Sequence, residues 1–297
     1  MSEFNIKFRS VYLHGVTDVT IITPNAYREA DIEKMYDHDS TFPVLWMLHG
    51  GYGCFADWIT YMKTPCYAVE RNCILVAPYA PNSDFANHPD VGEGYLYEDF
   101  FIKELVPFVR GWFHGSSDPQ KNLISGNSMG CAACWRYGIS YPQIFGYVGP
   151  LCNQPLDYSF LEPYRQMSSK EFRTLSEKVH IPTAYGIDSG ELHAKELSMI
   201  CRYPTVGAFL DSIENTWARF DEAADNGCLP KIFVSGAIEK KWGSMMGRFK
   251  LHCEERRITN ITFDMYDQTT HNSPFWEEST ERFLAFAGIP KMDGTLI

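Results

Sequence analysis

Short, uninterrupted apolar runs alternate along this chain with stretches in which apolar residues recur at helical spacing. Such runs are typical of strands buried on both faces of a parallel sheet. The pattern predicts strands at 4–13, 18–24, 42–48, 73–80, 121–125, 145–152, 231–236 and 261–266, and helices from 55 and at 97–112, 129–141, 206–226, 244–257 and 274–286. We expect the first two strands to form an antiparallel pair at the sheet edge. The alternation predicts an α/β fold, with helices covering both faces of a mostly parallel sheet.

The whole chain, 1–297, is expected to form a single domain, because its composition does not shift along its length. A hydrophobic content of 45% and a charged content of 21% are typical of a compact globular protein. The segment 153–205 interrupts the alternation with prolines, glycines and short charged stretches, and it is longer than an ordinary connection. We predict that it is a cap-like insertion over the functional site.

The formal charge of −11 argues against a nucleic-acid partner, because binding phosphates needs a concentrated basic surface. No cluster of Lys and Arg is longer than a pair. The first ten residues lack the basic and apolar regions of a signal peptide, and no run approaches the roughly 18 apolar residues of a membrane span. We therefore expect a cytoplasmic protein without membrane contact.

The nine cysteines are scattered through apolar segments, as expected of small buried side chains in a reducing compartment. Cys131 and Cys134 form a C-x-x-C motif, but it lies in a predicted helix without a second pair. That setting argues against zinc or redox chemistry.

The strongest local motif is GNSMG, residues 126–130, which fits G-x-S-x-G where a predicted strand passes into a predicted helix. A strained turn at that junction presents a serine hydroxyl at the helix N-terminus. The motif therefore predicts Ser128 as a catalytic nucleophile.

A serine hydroxyl needs a neighbouring base, which follows the nucleophile in this type of chain order. Four histidines follow Ser128. His180 and His193 lie in or beside the insertion and His252 lies in a helix, whereas His271 follows the last predicted strand. His271 is the predicted general base.

The acid that orients the base should follow the strand at 231–236. No aspartate occurs between Asp225 and Asp264, and Glu239 lies three residues beyond that strand. Glu239 is the predicted acid. If Glu239 is only a surface glutamate, Asp264 or Asp267 would have to serve.

Acyl transfer also needs backbone donors for the developing oxyanion. The H-G-G loop at 49–53 follows a core strand and predicts one donor at Gly51, with Tyr52 as the neighbouring alternative. The second predicted donor is the amide of Met129. The loop lacks the lysine of a phosphate-binding loop.

With these residues in place, the chain resembles the esterase D family of the α/β-hydrolase superfamily. The resemblance is to its branch of bacterial tributyrin and acetyl esterases, related to feruloyl esterases and S-formylglutathione hydrolases. The shared residues are LHGGYG with Trp58, the segment 97–100, GNSMG, Tyr141 with Pro142, Phe145, and His271 with Phe275 and Trp276. Two positions depart from the family pattern: Glu239 replaces the usual aspartate, and Cys131 replaces a glycine.

The resemblance implies a serine carboxylesterase that cleaves small acyl esters through an acyl-serine intermediate without a cofactor or metal, and it favours a homo-oligomer. Residues that flank the catalytic loops and could line the substrate pocket are Tyr52, Trp58, Tyr95, Cys152 and Trp242. Two alternatives remain. The same site could transfer the acyl group to an alcohol, or the fold could bind a ligand without turnover. A zinc hydrolase is disfavoured, because no H-E-x-x-H motif is present.

Overall fold

Eight strands form one sheet in the computed structural model, which describes residues 1–26, 29–184, 192, 194–237, 243–266 and 271–291. In chain order the strands are β1 (Ser2–Ser10), β2 (Gly15–Thr23), β3 (Val44–Leu48), β4 (Ile74–Pro78), β5 (Asn87–His88), β6 (Tyr95–Leu96), β7 (Asn122–Asn127), β8 (Tyr147–Leu151), β9 (Lys231–Ala237) and β10 (Ile261–Tyr266). β5 and β6 form a separate two-stranded ribbon.

The large sheet has the strand order β1-β2-β4-β3-β7-β8-β9-β10. β1 pairs with β2, and β2 with β4, in antiparallel fashion, whereas every other pair is parallel. The prediction of a mostly parallel sheet with an antiparallel pair at its edge is confirmed. All residues of β3, β4 and β8 are buried, as their apolar sequences predict.

The helices are α1 (Glu29–Met35), α2 (Ala56–Ile59), α3 (Thr64–Glu70), α4 (Tyr97–Asp99), α5 (Val106–Trp112), α6 (Met129–Ser140), α7 (Ser169–Ser176), α8 (Ala194–Ile200), α9 (Val206–Leu210), α10 (Thr216–Asp225), α11 (Gly243–Glu255) and α12 (Ser273–Phe286). A π-helical segment, Phe100–Leu105, joins α4 to α5. The predicted helix at 97–112 is therefore continuous but widened before Pro107, which has no backbone N–H to donate.

Alternate side chains of the strands belong to two apolar layers, one on each face of the large sheet. On β3, Val44 and Trp46 face a layer with α5, α6, α10 and α11, while Leu45 and Met47 face a layer with α3 and α12. This division follows from the period of two along a strand, which sends neighbouring side chains to opposite faces. The sheet is therefore covered by helices on both sides, as predicted.

The prediction of one helix over 206–226 is wrong. The chain instead forms α9 and α10, separated by residues 211–215. Glu214 in this break is 5% exposed and accepts a hydrogen bond from Arg136 of α6. The carboxylate of Glu214 reaches Arg136 because the chain turns locally between the two helices. The apolar periodicity of the sequence does not indicate such a polar contact.

Within 153–205 the described residues include a 3₁₀ helix (Ser159–Tyr164), α7 and α8. Their apolar side chains form a third cluster together with α9. The single domain and the cap-like role of 153–205 stay predictions, as do the homo-oligomer and the cytoplasmic location. No helix in the described part of the chain is long and apolar enough to cross a membrane.

Candidate active site

Ser128 lies between the end of β7 and the first residue of α6, with φ 51° and ψ −114°. Positive φ is uncommon for a residue with a side chain and persists only where the surrounding structure enforces it. Two glycines make the turn feasible. A Cβ on Gly126 would lie 2.2 Å from the carbonyl oxygen of Gly130, and one on Gly130 would lie 2.1 Å from that of Leu48. The spacing of G-x-S-x-G thus allows α6 to begin directly against the sheet.

The H-G-G loop follows β3 and meets this turn. A Cβ on Gly50 would lie 3.3 Å from the Cβ of Ser128. His49 connects this loop to the residues that follow β4. Its Nδ1 donates to the carbonyl of Gly50 at 2.7 Å, and its Nε2 accepts from the amide of Ala80 at 3.0 Å. The ring is 1% exposed, and burial lowers its pKa. His49 is therefore a neutral structural group.

The amides of Gly51 and Met129, which are the predicted oxyanion donors, differ in their hydrogen bonding from the neighbouring amide of Tyr52. The Tyr52 amide already donates to the Oδ1 of Asn82 at 2.7 Å. Gly51 has no acceptor for its amide among the described residues. Met129 opens α6, where the first N–H groups have no partner within the helix. Asn82 was not found from the sequence, because it lies 30 residues after Tyr52 in an unremarkable loop.

His271 immediately precedes the start of α12. The helix begins with Asn272 as its N-cap, whose side chain accepts from the amide of Phe275 at 3.0 Å. The His271 ring packs edge-on against Trp276, with centroids 5.3 Å apart. The motif of His271 followed by Phe275 and Trp276 therefore places the imidazole at a fixed point beside the helix end.

Cys152 links the two predicted catalytic residues. Its Sγ accepts a hydrogen bond from the Ser128 amide at 3.3 Å, and the thiol interacts electrostatically with the His271 imidazole. This interaction raises the pKa of His271 against the opposing effect of desolvation. Cys152 itself has φ 102°, a strained value for a residue with a side chain. The thiol therefore interacts with both the predicted nucleophile and the predicted base, a more central position than the flanking one predicted for it.

The third member of the predicted triad, Glu239, lies outside the described residues, as does Asp267. Asp264 is described on β10, where its carboxylate accepts from the Tyr266 hydroxyl at 2.8 Å and pairs with Arg282 at 3.3 Å. No bond from Asp264 to His271 occurs among the described contacts. Asp264 is thus already occupied by other partners.

The remaining predicted lining residues have varied positions. Trp58 is completely buried in the layer that contains α3 and α12, so it is a core residue in this structure rather than part of an open pocket. Tyr52 is 99% exposed, and Tyr95 is partly exposed and stacked on Tyr97. Trp242 lies outside the described residues. Among the described residues, no group of three or more His, Cys, Asp or Glu side chains is arranged to hold a metal ion.

The order of the strands and the helices on both faces of the sheet are those of the α/β-hydrolase fold. The structure is similar to fluorophosphonate-binding serine hydrolase F of Staphylococcus aureus, with a TM-score of 0.70 at 14% identity over 96% of this chain and 98% of that one. It is also similar to an S-formylglutathione hydrolase from Staphylococcus aureus, with a TM-score of 0.67 at 16% identity over 96% and 97% of the two chains.

Sequence comparison identifies the family to which the chain belongs. A family model described as "Putative esterase" matches residues 13–228, and the chain belongs to this esterase family. An acetyl esterase from Caldicellulosiruptor saccharolyticus is 26% identical over 145 residues, which cover 49% of this chain and 53% of that protein. The match thus spans about half of the relative's length. The predicted resemblance to the esterase D-like branch is confirmed.

Proposed function

We propose that this protein is a serine carboxylesterase that hydrolyses small acyl esters through an acyl-serine intermediate. The observation that carries the proposal is the position of Ser128. It lies in a strained turn beside the glycine loop at 49–53, where a Cβ added to Gly50 would lie 3.3 Å from the Cβ of Ser128. The amide of Ser128 donates to Cys152, whose thiol interacts with His271. Membership of the esterase family supports the same reaction class.

In the proposed acylation step, His271 accepts the proton of the Ser128 hydroxyl as the oxygen attacks the ester carbonyl. The negative charge that develops on the carbonyl oxygen is stabilised by the amides of Gly51 and Met129. Gly51 lies three residues after β3 and Met129 two residues after β7, so we expect the adjoining strands to position both donors before charge develops. His271 then returns the proton to the leaving alcohol.

In the second step, His271 removes a proton from water, which attacks the acyl-serine and releases the carboxylic acid. We assign the orientation of the imidazole to Glu239, which follows β9 in the chain order expected of such a triad. The acyl group is proposed to be acetyl, another short chain, or a feruloyl group. The acetyl esterase relative supports the first of these.

A fluorophosphonate probe and p-nitrophenyl acetate test the proposal directly. The wild-type protein should be labelled once per chain and should hydrolyse the ester. Ser128→Ala should lose labelling and lower kcat by more than about 10³-fold, as expected when a triad nucleophile is removed. Ser125→Ala is the matched control. This serine lies on β7, three residues before Ser128, and its hydroxyl donates to the carbonyl of Gly149 inside the sheet at 2.8 Å. It should keep both labelling and turnover.

Wild-type protein that neither reacts with the probe nor turns over any short-chain ester would refute the proposal. The acid is tested separately with Glu239→Gln, which should lower kcat by about 10⁴-fold if Glu239 orients the base. Glu254→Gln, on the exposed surface of α11, is its control. Near-normal activity of Glu239→Gln would transfer the role to another carboxylate, with Asp267 as the first to examine.

A further inference from the structure

The sequence pairs Cys131 with Cys134 in a C-x-x-C motif, but the structure separates their thiols. The Sγ of Cys134 donates to the carbonyl of Ile124 on β7 at 3.3 Å. The Sγ of Cys131 points the other way, toward the carbonyl of Asn153 at 3.5 Å. Cys152 is the residue before Asn153, and its Sγ accepts from the amide of Ser128 at 3.3 Å, while the carbonyl of Ser128 accepts from the amide of Cys131 at 3.0 Å. Both thiols therefore lie at the turn where α6 begins against the end of β8. The relevant pair therefore joins the first turn of α6 to the end of β8.

The two thiols of this pair differ in access. Cys131 is completely buried, while Cys152 is 7% exposed and contacts the exposed side chain of His271. A small reagent that enters the site beside His271 would therefore meet Cys152 first. Cys131 is shielded from such a reagent, because its side chain is completely buried.

The surroundings also make the two thiols unequal in reactivity. Hydrogen bonding from Cys131, together with the His271 imidazole and the Ser128 amide, holds the pKa of Cys152 below its usual range despite burial. Burial raises the pKa of Cys131. Since the thiolate is the reactive form of cysteine, Cys152 is the thiol prepared to attack, and Cys131 is the protonated partner beside it.

We propose that Cys152 and Cys131 form an oxidant-sensitive thiol pair that closes to a disulfide and thereby inactivates the esterase site. The inference rests on the proposed function for its consequence, although not for the bond itself. The co-reactant is a small peroxide.

The chemistry proceeds in two balanced steps. His271 takes the proton of the Cys152 thiol, and the resulting thiolate attacks one oxygen of hydrogen peroxide. The O–O bond breaks, and the leaving hydroxide takes that proton from His271, which gives water, neutral His271 and a Cys152 sulfenic acid. The Cys131 thiol then attacks the Cys152 sulfur, forming the S–S bond and releasing a second water. Cys152 and Cys131 each lose one electron, and peroxide is reduced to water.

The disulfide would disturb both catalytic residues. Once it is bonded to Cys131, the Cys152 sulfur is repositioned and can no longer be a thiolate, so its hydrogen bond from the Ser128 amide and its interaction with the His271 imidazole both change. Misplacement of catalytic groups by about 1 Å lowers rates by about 10²-fold. We expect oxidised protein to hydrolyse p-nitrophenyl acetate about 10²-fold more slowly, and dithiothreitol to restore the rate.

The test treats purified, reduced full-length protein with hydrogen peroxide and follows hydrolysis together with disulfide mapping by mass spectrometry under non-reducing conditions. Wild type should lose activity as a Cys131–Cys152 linked peptide appears, and dithiothreitol should reverse both changes. Cys134→Ala is the matched control, because it removes a buried thiol of the same helix outside the pair. It should behave as wild type. Cys131→Ala should form no disulfide, and its peroxide damage should resist dithiothreitol as Cys152 passes to the sulfinic acid.

Three results would overturn the inference: a disulfide that maps to Cys131 and Cys134, wild-type activity that survives peroxide, or full reversibility in Cys131→Ala. Reduced wild-type protein that hydrolyses no ester would instead refute the proposed function. The mapped peptides would then still decide whether the thiol pair exists.

Discussion

Replacing Glu214 with glutamine removes the negative charge at the centre of a buried ionic network that includes α6, the helix that follows Ser128. Glu214 pairs with Arg136 of α6 at 2.8 Å and with Arg202 at 3.3 Å. The side chains of Glu214 and Arg136 are 5% and 2% exposed. The guanidinium of Arg136 also donates to the carbonyl of Asp84. The network therefore connects α6 to the segment 200–215 and to the loop after β4.

The expected loss of stability follows from the burial of the Glu214–Arg136 pair and from the distance between its charges. At an effective dielectric constant of about 20, opposite unit charges at this separation attract by about 6 kcal/mol, which offsets the cost of removing both from water. Glutamine keeps the shape but leaves Arg136 charged and buried without its counter-ion. Breaking a buried pair from one side costs about 3–5 kcal/mol, so we expect the free energy of unfolding to fall by that amount. This is a large share of the roughly 5–15 kcal/mol that stabilises a typical protein.

Urea denaturation followed by tryptophan fluorescence measures the effect in Glu214→Gln, Arg136→Met and the double variant. The double variant should recover part of the loss, because no unpaired charge remains on Arg136. Glu254→Gln is the control, since its pair with Lys250 is exposed to solvent and should contribute less than about 1 kcal/mol. A change of under about 1 kcal/mol in Glu214→Gln would refute the reasoning that burial makes this pair costly to break.

Two further predictions concern the loops around Ser128. Gly130→Ala places a Cβ against the carbonyl of Leu48, so α6 must shift. We expect the free energy of unfolding to fall by at least about 1–3 kcal/mol, with a parallel loss of esterase activity. An unchanged melting temperature would contradict the close approach of the two backbones. His49 must stay neutral to accept from Ala80, and burial lowers its pKa, so the unfolded chain binds more protons below about pH 6.5. The His49 contribution to stability is therefore complete above that pH and lost as the pH falls, and urea midpoints between pH 7.5 and 5.5 should fall less in His49→Gln than in wild type.

The sequence by itself determined the strands of the large sheet, several of the helices between them, and the strand-to-helix turn at Ser128. A strand buried on both faces must be apolar throughout, so β3, β4 and β8 were recognisable without any partner. The turn at Ser128 was equally local, because the two glycines that permit it flank it within five residues. The boundaries of β10 and α12 agree with the predicted segments to within one residue.

Only the tertiary structure decided which distant groups meet. Cys152 lies 24 residues from Ser128 and far from His271 in sequence, yet contacts both because parallel strands end at one edge of the sheet. Asn82 binds the Tyr52 amide for the same reason. The break between α9 and α10 depends on Arg136, 78 residues earlier than Glu214. Periodicity indicates which face of an element is buried, but it does not indicate which distant polar group lies against that face. The contacts of Cys152, Asn82 and Glu214 all join such distant groups, so only the tertiary structure could decide them.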